Sequence, residues 1–533
     1  MPTIKQNFLT DIREHPDDTT PRLIFADWLE EHGNDVERAR AQFIRVQCEL
    51  TRLAMDDPRR PRLEAQERAL WQQYERRWLQ ADLPRCKAND RFLTSLKAAY
   101  GRGFLERISG PLWTVRDHIA TLLRTPVPPQ TLQIQENGID EQAGEVTGRF
   151  LLQTLEGDLI PHVRHLDLSN NVSREMTMMT AEVTHHLVTS SRVRLSSLGL
   201  YDRGHSSRRF VEQVAHTRKP QLIERLSLEM TGNQPRTLEH ICNPDLFPHL
   251  AHLRLYDLDL RQSQPNALAD PQCAHRIKSL VFSNMEYLQF ALYTARAAFP
   301  QLASLHFFRI RERARFSNLL RTFAQEASFE QLRELSIADT YLSTEDLETV
   351  LQAPWAKGLT GLKLSHNNQL RHGATALLTE RLGETNIDAL DLRRCRLKDE
   401  DVLALACSPH VANIRRLWLA DNGISLQGLH ALLSSPHLKQ LHTLEYSMNR
   451  GKQYCLEFFI DQAKTLCPSL QKAIVDTRIS VEQRDRAHNG GLVVAKSDEP
   501  LNKDDLENFY WQPSSSTSLP ICLSLDDIPD EPF

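Results

Sequence analysis

A chain of 533 residues is too long for one ordinary core, and its 41% hydrophobic and 25% charged residues are those of a soluble folded protein. The net charge of −5 gives no reason to expect a polyanion partner; residues 497–533 hold nine acids and one lysine, a charge of −8 that leaves about +3 for everything before them. Nine scattered cysteines without a Cys-x-x-Cys speak for reduced thiols inside a cell rather than a disulfide framework.

The opening MPTIKQNFLTDIREHPDD has no apolar core of a secretory signal, and no stretch approaches the ~20 apolar residues that span a bilayer, so a cytoplasmic protein is expected. Phe8, Leu9 and Ile12 share one face of a first helix. Residues 15–21 break it, with Thr20 as N-cap and Pro21 opening a second helix that Gly33 ends. A third helix runs from Val36 to Met55, and a fourth carries Leu63, Leu70, Tyr74 and Trp78. The acids Asp17, Asp18, Asp27, Glu30 and Glu31 read as helix-start compensation and a solvated face rather than a metal or catalytic group.

Two longer stretches, HPDDTTPRLIFADWLEEHG from His15 and ARAQFIRVQCELTRL from Ala39, are followed by Trp78-Leu79 and by Arg102-Gly103-Phe104-Leu105-Glu106. In this order they resemble the repeat-companion domain that precedes many planctomycete repeat proteins, over residues 1–110. The resemblance implies a bacterial protein and a helical domain; it carries no activity.

Beyond residue 130 a phrase, apolar-x-x-Leu-x-apolar, recurs every 25–32 residues, most often every 27 or 28. Its clear copies are VRHLDLSNN from Val163, LAHLRLYDL from Leu250, LTGLKLSHN from Leu359, IDALDLRRC from Ile387, IRRLWLADN from Ile414 and LHTLEYSMN from Leu441. A fixed period in this range means stacked units, each burying a face on its neighbours. With the first apolar residue as position 1, the alternation over positions 3 to 7 is a short strand with one buried face. Position 9 is Asn171, Asn367, Asn422 and Asn449 in four units, Cys395 in another, and Asn137 in a degenerate early one. A side chain there can hydrogen-bond the backbone where the chain leaves the strand. A helix-like half follows each strand: Ser343 is an N-cap with Asp346 three residues on, and Leu347, Val350 and Leu351 follow at helical spacing. Units from Leu332 are regular, whereas those from Leu195, Ile223, Ile277 and Leu302 are looser, with Thr231, Met285 and Ile310 at position 9.

These units resemble leucine-rich repeats of the long, ribonuclease-inhibitor-like class, eleven or twelve of them. The fold class expected is an α/β solenoid, a curved horseshoe with parallel strands concave and helices convex, preceded by a small all-α domain. Strands pack ~4.8 Å apart and helices ~8–10 Å apart, so stacking one of each per unit bends the array. The division expected is a helical domain over 1–85, a connecting segment and cap over 86–130, repeats over 131–476 and an acidic, largely disordered tail over 477–533. In that tail, residues 501–511 are expected to cap the last repeat, with a short linear motif for a partner as the alternative.

Positions 3, 5, 7 and 8 are expected to face the concave side. Two aromatic-basic groups stand out there: Arg254, Tyr256, His306, Phe308 and Arg309, then Arg393, Arg394, Arg416 and Trp418. Tyr, Trp and Arg dominate binding hot spots because they bury large areas and keep polar handles. For Phe308, filling an irregularity between repeats is an equal reading; for Trp418, in a regular unit, binding is favoured. The run from His306 to Arg315 is a solvated turn rather than a nucleic-acid contact, given the chain's charge balance. No P-loop, His-Glu-x-x-His, Gly-x-Ser-x-Gly or dinucleotide fingerprint occurs, so no catalytic site, metal or cofactor is expected. The function expected is a non-catalytic scaffold, monomeric apart from a protein partner held on the concave face. The alternative is a regulatory protein whose helical domain acts on a partner chosen by the repeats.

Overall fold

Four helices open the chain: α1 (Ile4–Glu14), α2 (Thr20–His32), α3 (Asp35–Leu50) and α4 (Arg60–Asp82). The computed structural model describes residues 4–53, 57, 59–82, 97–111, 115, 125–136, 143–157, 160–170, 180–201, 205–229, 236–256, 267–284, 299–310, 313–327, 329–450, 452–476 and 479–496. Asn137, Asn171 and the segment from 497 to 533 lie outside the described residues.

Thr20 is not the cap of α2. The N-cap is Thr19, whose side chain makes no capping bond, and the Asp18 carboxylate accepts from the Thr20 amide at 2.8 Å instead. Gly33 does end α2, but in extended backbone; glycine is needed there because a Cβ would stand 2.4 Å from the Leu29 carbonyl oxygen. Helix α3 starts with a reciprocal capping box between Asn34 and Glu37.

The core under α1, α2 and α3 is Ile12, Phe25, Ala26, Leu29, Ala41, Ile44 and Cys48, and it also takes in Phe104 and Val127 from the following segment. That segment begins with a hairpin, β1 (Lys97–Gly101) and β2 (Phe104–Pro111), turned by Arg102 and Gly103, both at positive φ. A Cβ on Gly103 would meet the Ile44 side chain at 2.1 Å. The helical region and the hairpin are thus one body. Arg40 Nε donates to the Gly103 carbonyl at 2.7 Å, the Gly103 amide donates to Gln47 Oε1 at 2.6 Å, and Arg40 pairs with Asp82 at 2.8 Å. Trp78 is buried against Phe43, ring centroids 4.8 Å apart.

From β2 onward every pairing in the described residues is parallel, and strand order is chain order: the α/β solenoid expected. The chain forms two units. Among the described residues the first comprises those up to 229 with Asp245–His249, the second those of 236–244 with 250–496. In the first, β3 (Thr131–Glu136), β4 (His165–Asn170), β5 (Ser197–Tyr201) and β6 (Arg225–Glu229) align Leu132, Leu166, Leu198 and Leu226 in one row. In the second, the strands are β7 (His252–Tyr256), β8 (Ser279–Ser283), β9 (Ser304–Phe308), β10 (Glu334–Ala338), β11 (Gly361–Lys363), β12 (Ala389–Asp391), β13 (Arg416–Trp418), β14 (Thr443–Glu445), β15 (Lys472–Val475) and β16 (Val493–Lys496). Their position-4 side chains form a second row, from Leu253 to Val494 and buried throughout.

The array runs past the boundary expected at 476. A helix, Val481–Asn489, leads into β16, which pairs in parallel with β15; Leu492 and Val494 are buried. Two apolar residues at the right spacing suffice for a strand once a neighbouring edge is there to pair with, although the flanking sequence is polar.

Candidate interaction face of the repeat sheet

The geometry of this face is set at the end of each strand. Asn367 Oδ1 accepts from the amides of Thr340 and Leu342 at 3.0 and 3.3 Å, and its Nδ2 donates to the carbonyls of Ile337 and Leu364 at 2.6 and 3.0 Å. Asn422 repeats the pattern on Cys395, Leu397, Leu392 and Leu419, and Asn449 on Asn422, Ile424, Leu419 and Tyr446. Each asparagine therefore ties its own turn to the unit before it. Cys395 keeps half the pattern: its buried thiol donates to the Leu364 carbonyl at 3.2 Å, and burial pushes its pKa up, so it stays a thiol. In the looser unit Ile310 fills position 9 with a fully buried apolar side chain.

Position 8 is left-handed in all seven units from Ile277 to Leu441. Asn284, Arg309, Asp339, His366, Arg394, Asp421 and Met448 have φ between 51 and 63°. Sequence reading missed this, although the asparagine, aspartates and histidine among them are the residues that tolerate such backbone best. The consequence is that Arg309 and Arg394 belong to the turn rather than to the flat of the strand. Both pair with the position-8 acid of the next unit: Arg309 with Asp339 at 3.8 Å and Arg394 with Asp421 at 2.5 Å.

Burial divides the candidates. Arg254, His306 and Arg393 were expected to face solvent, yet each is only 2% exposed, and Phe308, for which filling an irregularity was an equal reading, is 3% exposed. Strands less than 5 Å apart leave no room between long side chains, which lie along the sheet over their small neighbours. Ser283, Ser336, Ser365 and Ser447 at positions 5 and 7 are fully buried. His306 stacks on Phe308 with the rings 5° from parallel, and its pKa is driven down to about 3, first by burial and then by Lys363. The imidazole is neutral at pH 7. Arg393 grips Asp391 through two bonds of 3.1 and 2.8 Å and reaches Glu445 at 3.7 Å, two strands away.

Tyr256, Arg394, Arg416 and Trp418 keep partial exposure, with Trp418 on β13 between Asp391 of β12 and Glu445 of β14. Arg416 pairs with Asp388 at 3.0 Å, and Lys363 with Glu334 at 3.5 Å, which holds the Glu334 carboxyl below its usual range. The face is thus charge-compensated from unit to unit. The acid partners were readable in principle, because Asp388, Asp421, Asp339 and Glu334 each stand about one repeat from the base they meet. Among the described residues no three His, Cys, Asp or Glu side chains are grouped to hold a metal ion. No helix among them is long and apolar enough to cross a membrane.

No family model matches the chain, and no curated protein matches it. Among solved structures it is similar to the complex of Rad7 and Elc1 in yeast, at 14% identity over 74% of this chain and 87% of that one, with a TM-score of 0.40. The strand phrase, its parallel register within each unit and the position-9 hydrogen bonds make the fold leucine-rich-repeat-like.

Proposed function

We propose that this chain is a non-catalytic, cytoplasmic protein-binding scaffold and that its second unit reads a protein partner around Trp418. The observation that carries the reading is a partly exposed tryptophan in a regular unit, near guanidinium groups already fixed by Asp388 and Asp421. An aromatic anchor among preordered arginines loses little side-chain entropy on binding. Tyr256, Arg309, Arg394 and Arg416 would contribute at the rim, whereas Arg254, His306, Phe308 and Arg393 would shape the floor. The mixed charge of the face favours a protein over a nucleic acid, and the chain alone would be a monomer. Crosslinking capture from the native cell tests this: Trp418→Ala should weaken partner binding by roughly thirtyfold. A partner list and affinity unchanged in both Trp418→Ala and Arg416→Glu would remove this face from the function.

Residues 1–110 would form the repeat-companion domain, since the residues of its wording are those that close its core: Phe25, Trp78, Gly103 and Phe104. The exposed Ile4 and Ile24 support a second reading, in which α1 and α2 act on a partner chosen by the repeats. Removing residues 1–85 cannot test it, because that deletion strips Phe104 and Val127 of their core. Ile24→Glu can: loss of the cellular effect with capture intact favours the regulatory reading.

A further inference from the structure

Several arginines in this protein meet a carboxylate: Arg40 meets Asp82, Arg393 meets Asp391, Arg416 meets Asp388. One place in the first unit gathers two arginines, exposed Arg13 and half-buried Arg164, that do not. A cavity of about 30 Å³, walled by three prolines, is lined by Arg13 at the end of α1 and by Gln130, His162 and Arg164 around the starts of β3 and β4. No acid lines it.

The cations are held in place by carbonyl groups, which leave their charge unneutralised. Arg13 Nε donates to the Pro126 carbonyl at 2.7 Å and Nη2 to that of Thr125 at 3.3 Å; Arg164 Nη1 donates to the Arg194 carbonyl at 3.3 Å. Among the described residues neither arginine has a carboxylate partner, and Arg13 Nη1 and Arg164 Nη2 are left without an acceptor. Burial, then Arg13, then Arg164 lower the pKa of His162, so no acid offsets their field at the ring. Two fixed guanidinium groups and a neutral imidazole around a small space are donors awaiting acceptors. The space admits about two water-sized groups, which suits the outer oxygens of an oxyanion and excludes a nucleoside or a larger cofactor.

We propose that this cavity binds a phosphate-class oxyanion, with Arg13 and Arg164 carrying its charge and His162 adding a hydrogen bond. Two guanidinium groups match the double charge of a phosphoryl group better than the single charge of a carboxylate. The group can arrive as free phosphate or on a phosphorylated peptide, and the site lies in a different unit from Trp418.

The test uses the full chain at constant ionic strength, titrated separately with inorganic phosphate, with a short phosphoserine peptide and with acetate, and read by calorimetry and phosphorus NMR. Saturable binding of phosphate, of the phosphopeptide or of both is expected, and which of them binds more tightly names the source. Arg164→Gln should weaken it by roughly tenfold or more, and Arg164→Lys should restore part of the loss. Melting curves check that the variants fold. If Arg164→Gln does not, His162→Ala serves in its place, with a smaller expected loss. No saturable binding to the intact chain, equal affinity in the folded variants, or acetate bound as tightly as phosphate would each overturn the proposal.

Discussion

The stretch of β8 and β9 and the stretch from β11 to β14 have the same strand pairing and the same left-handed position 8, yet they hold their turns by different means. In the earlier stretch Phe282 and Phe307 stand at position 6. Phe307 meets the rings of Phe282, Phe316 and Phe323 at 5.5–5.9 Å, and the chain of rings continues through Phe329 to Trp355. Ile310 closes its turn by volume alone. In the later stretch position 6 is leucine in three units and Tyr446 in the fourth, and in three of the four units an asparagine closes the turn with four backbone bonds, as Asn367 does. An apolar plug tolerates irregular spacing because dispersion has no direction, whereas the asparagine demands a fixed one. This is why the later units are legible as copies and the earlier ones are not.

Substitutions separate the two means by size. Phe307→Ala should cost about 4 kcal/mol in urea denaturation, since its three neighbouring rings cannot collapse into the space. A loss under about 1 kcal/mol would show that the plug is not what holds that stretch. Acid should weaken the same stretch. The unfolded chain protonates a histidine near pH 6.5, but buried His306 does not take a proton until about pH 3, so stability is lost as pH falls through that window. His306→Gln should flatten the dependence, by about 3 kcal/mol at pH 4; an unchanged slope would remove His306 as its source.

Asn367→Ala should cost about 2 kcal/mol through buried amides and carbonyls left unpaired. Hydrogen exchange should show the damage at Thr340 and Leu342, one unit upstream, and not at the substituted turn alone. The smallest effect runs the other way. Cys395→Asn should stabilise by about 1 kcal/mol, because an amide carbonyl accepts where a thiol barely does. A destabilised Asn variant would mean that the unit has closed around the thiol and that the two kinds of turn are not interchangeable.

Legibility followed directionality elsewhere too. The capping box of Ser343 and Asp346 was readable because both partners lie within one turn, and the structure shows both of its bonds. That of Asn34 and Glu37 has the same spacing and was passed over because Val36 looked like the helix start. At the candidate face, Trp418 stood out by residue type and unit regularity, but its neighbours' exposure was misjudged. Burial of Arg254, His306 and Arg393 depends on what the adjacent strands carry, which a single unit's pattern does not contain.

Period, strand phrase and position-9 asparagines determined the α/β solenoid from sequence alone, because each depends on residues within one unit and its immediate neighbours. The tertiary structure decided which arginines keep any solvent, that the helical region and the β1–β2 hairpin share one core, and that a strand follows residue 476. Those outcomes turn on side chains far apart in the chain meeting at van der Waals distance. No local period records such meetings, and the unit-to-unit ion pairs show themselves only once the register places acid beside base.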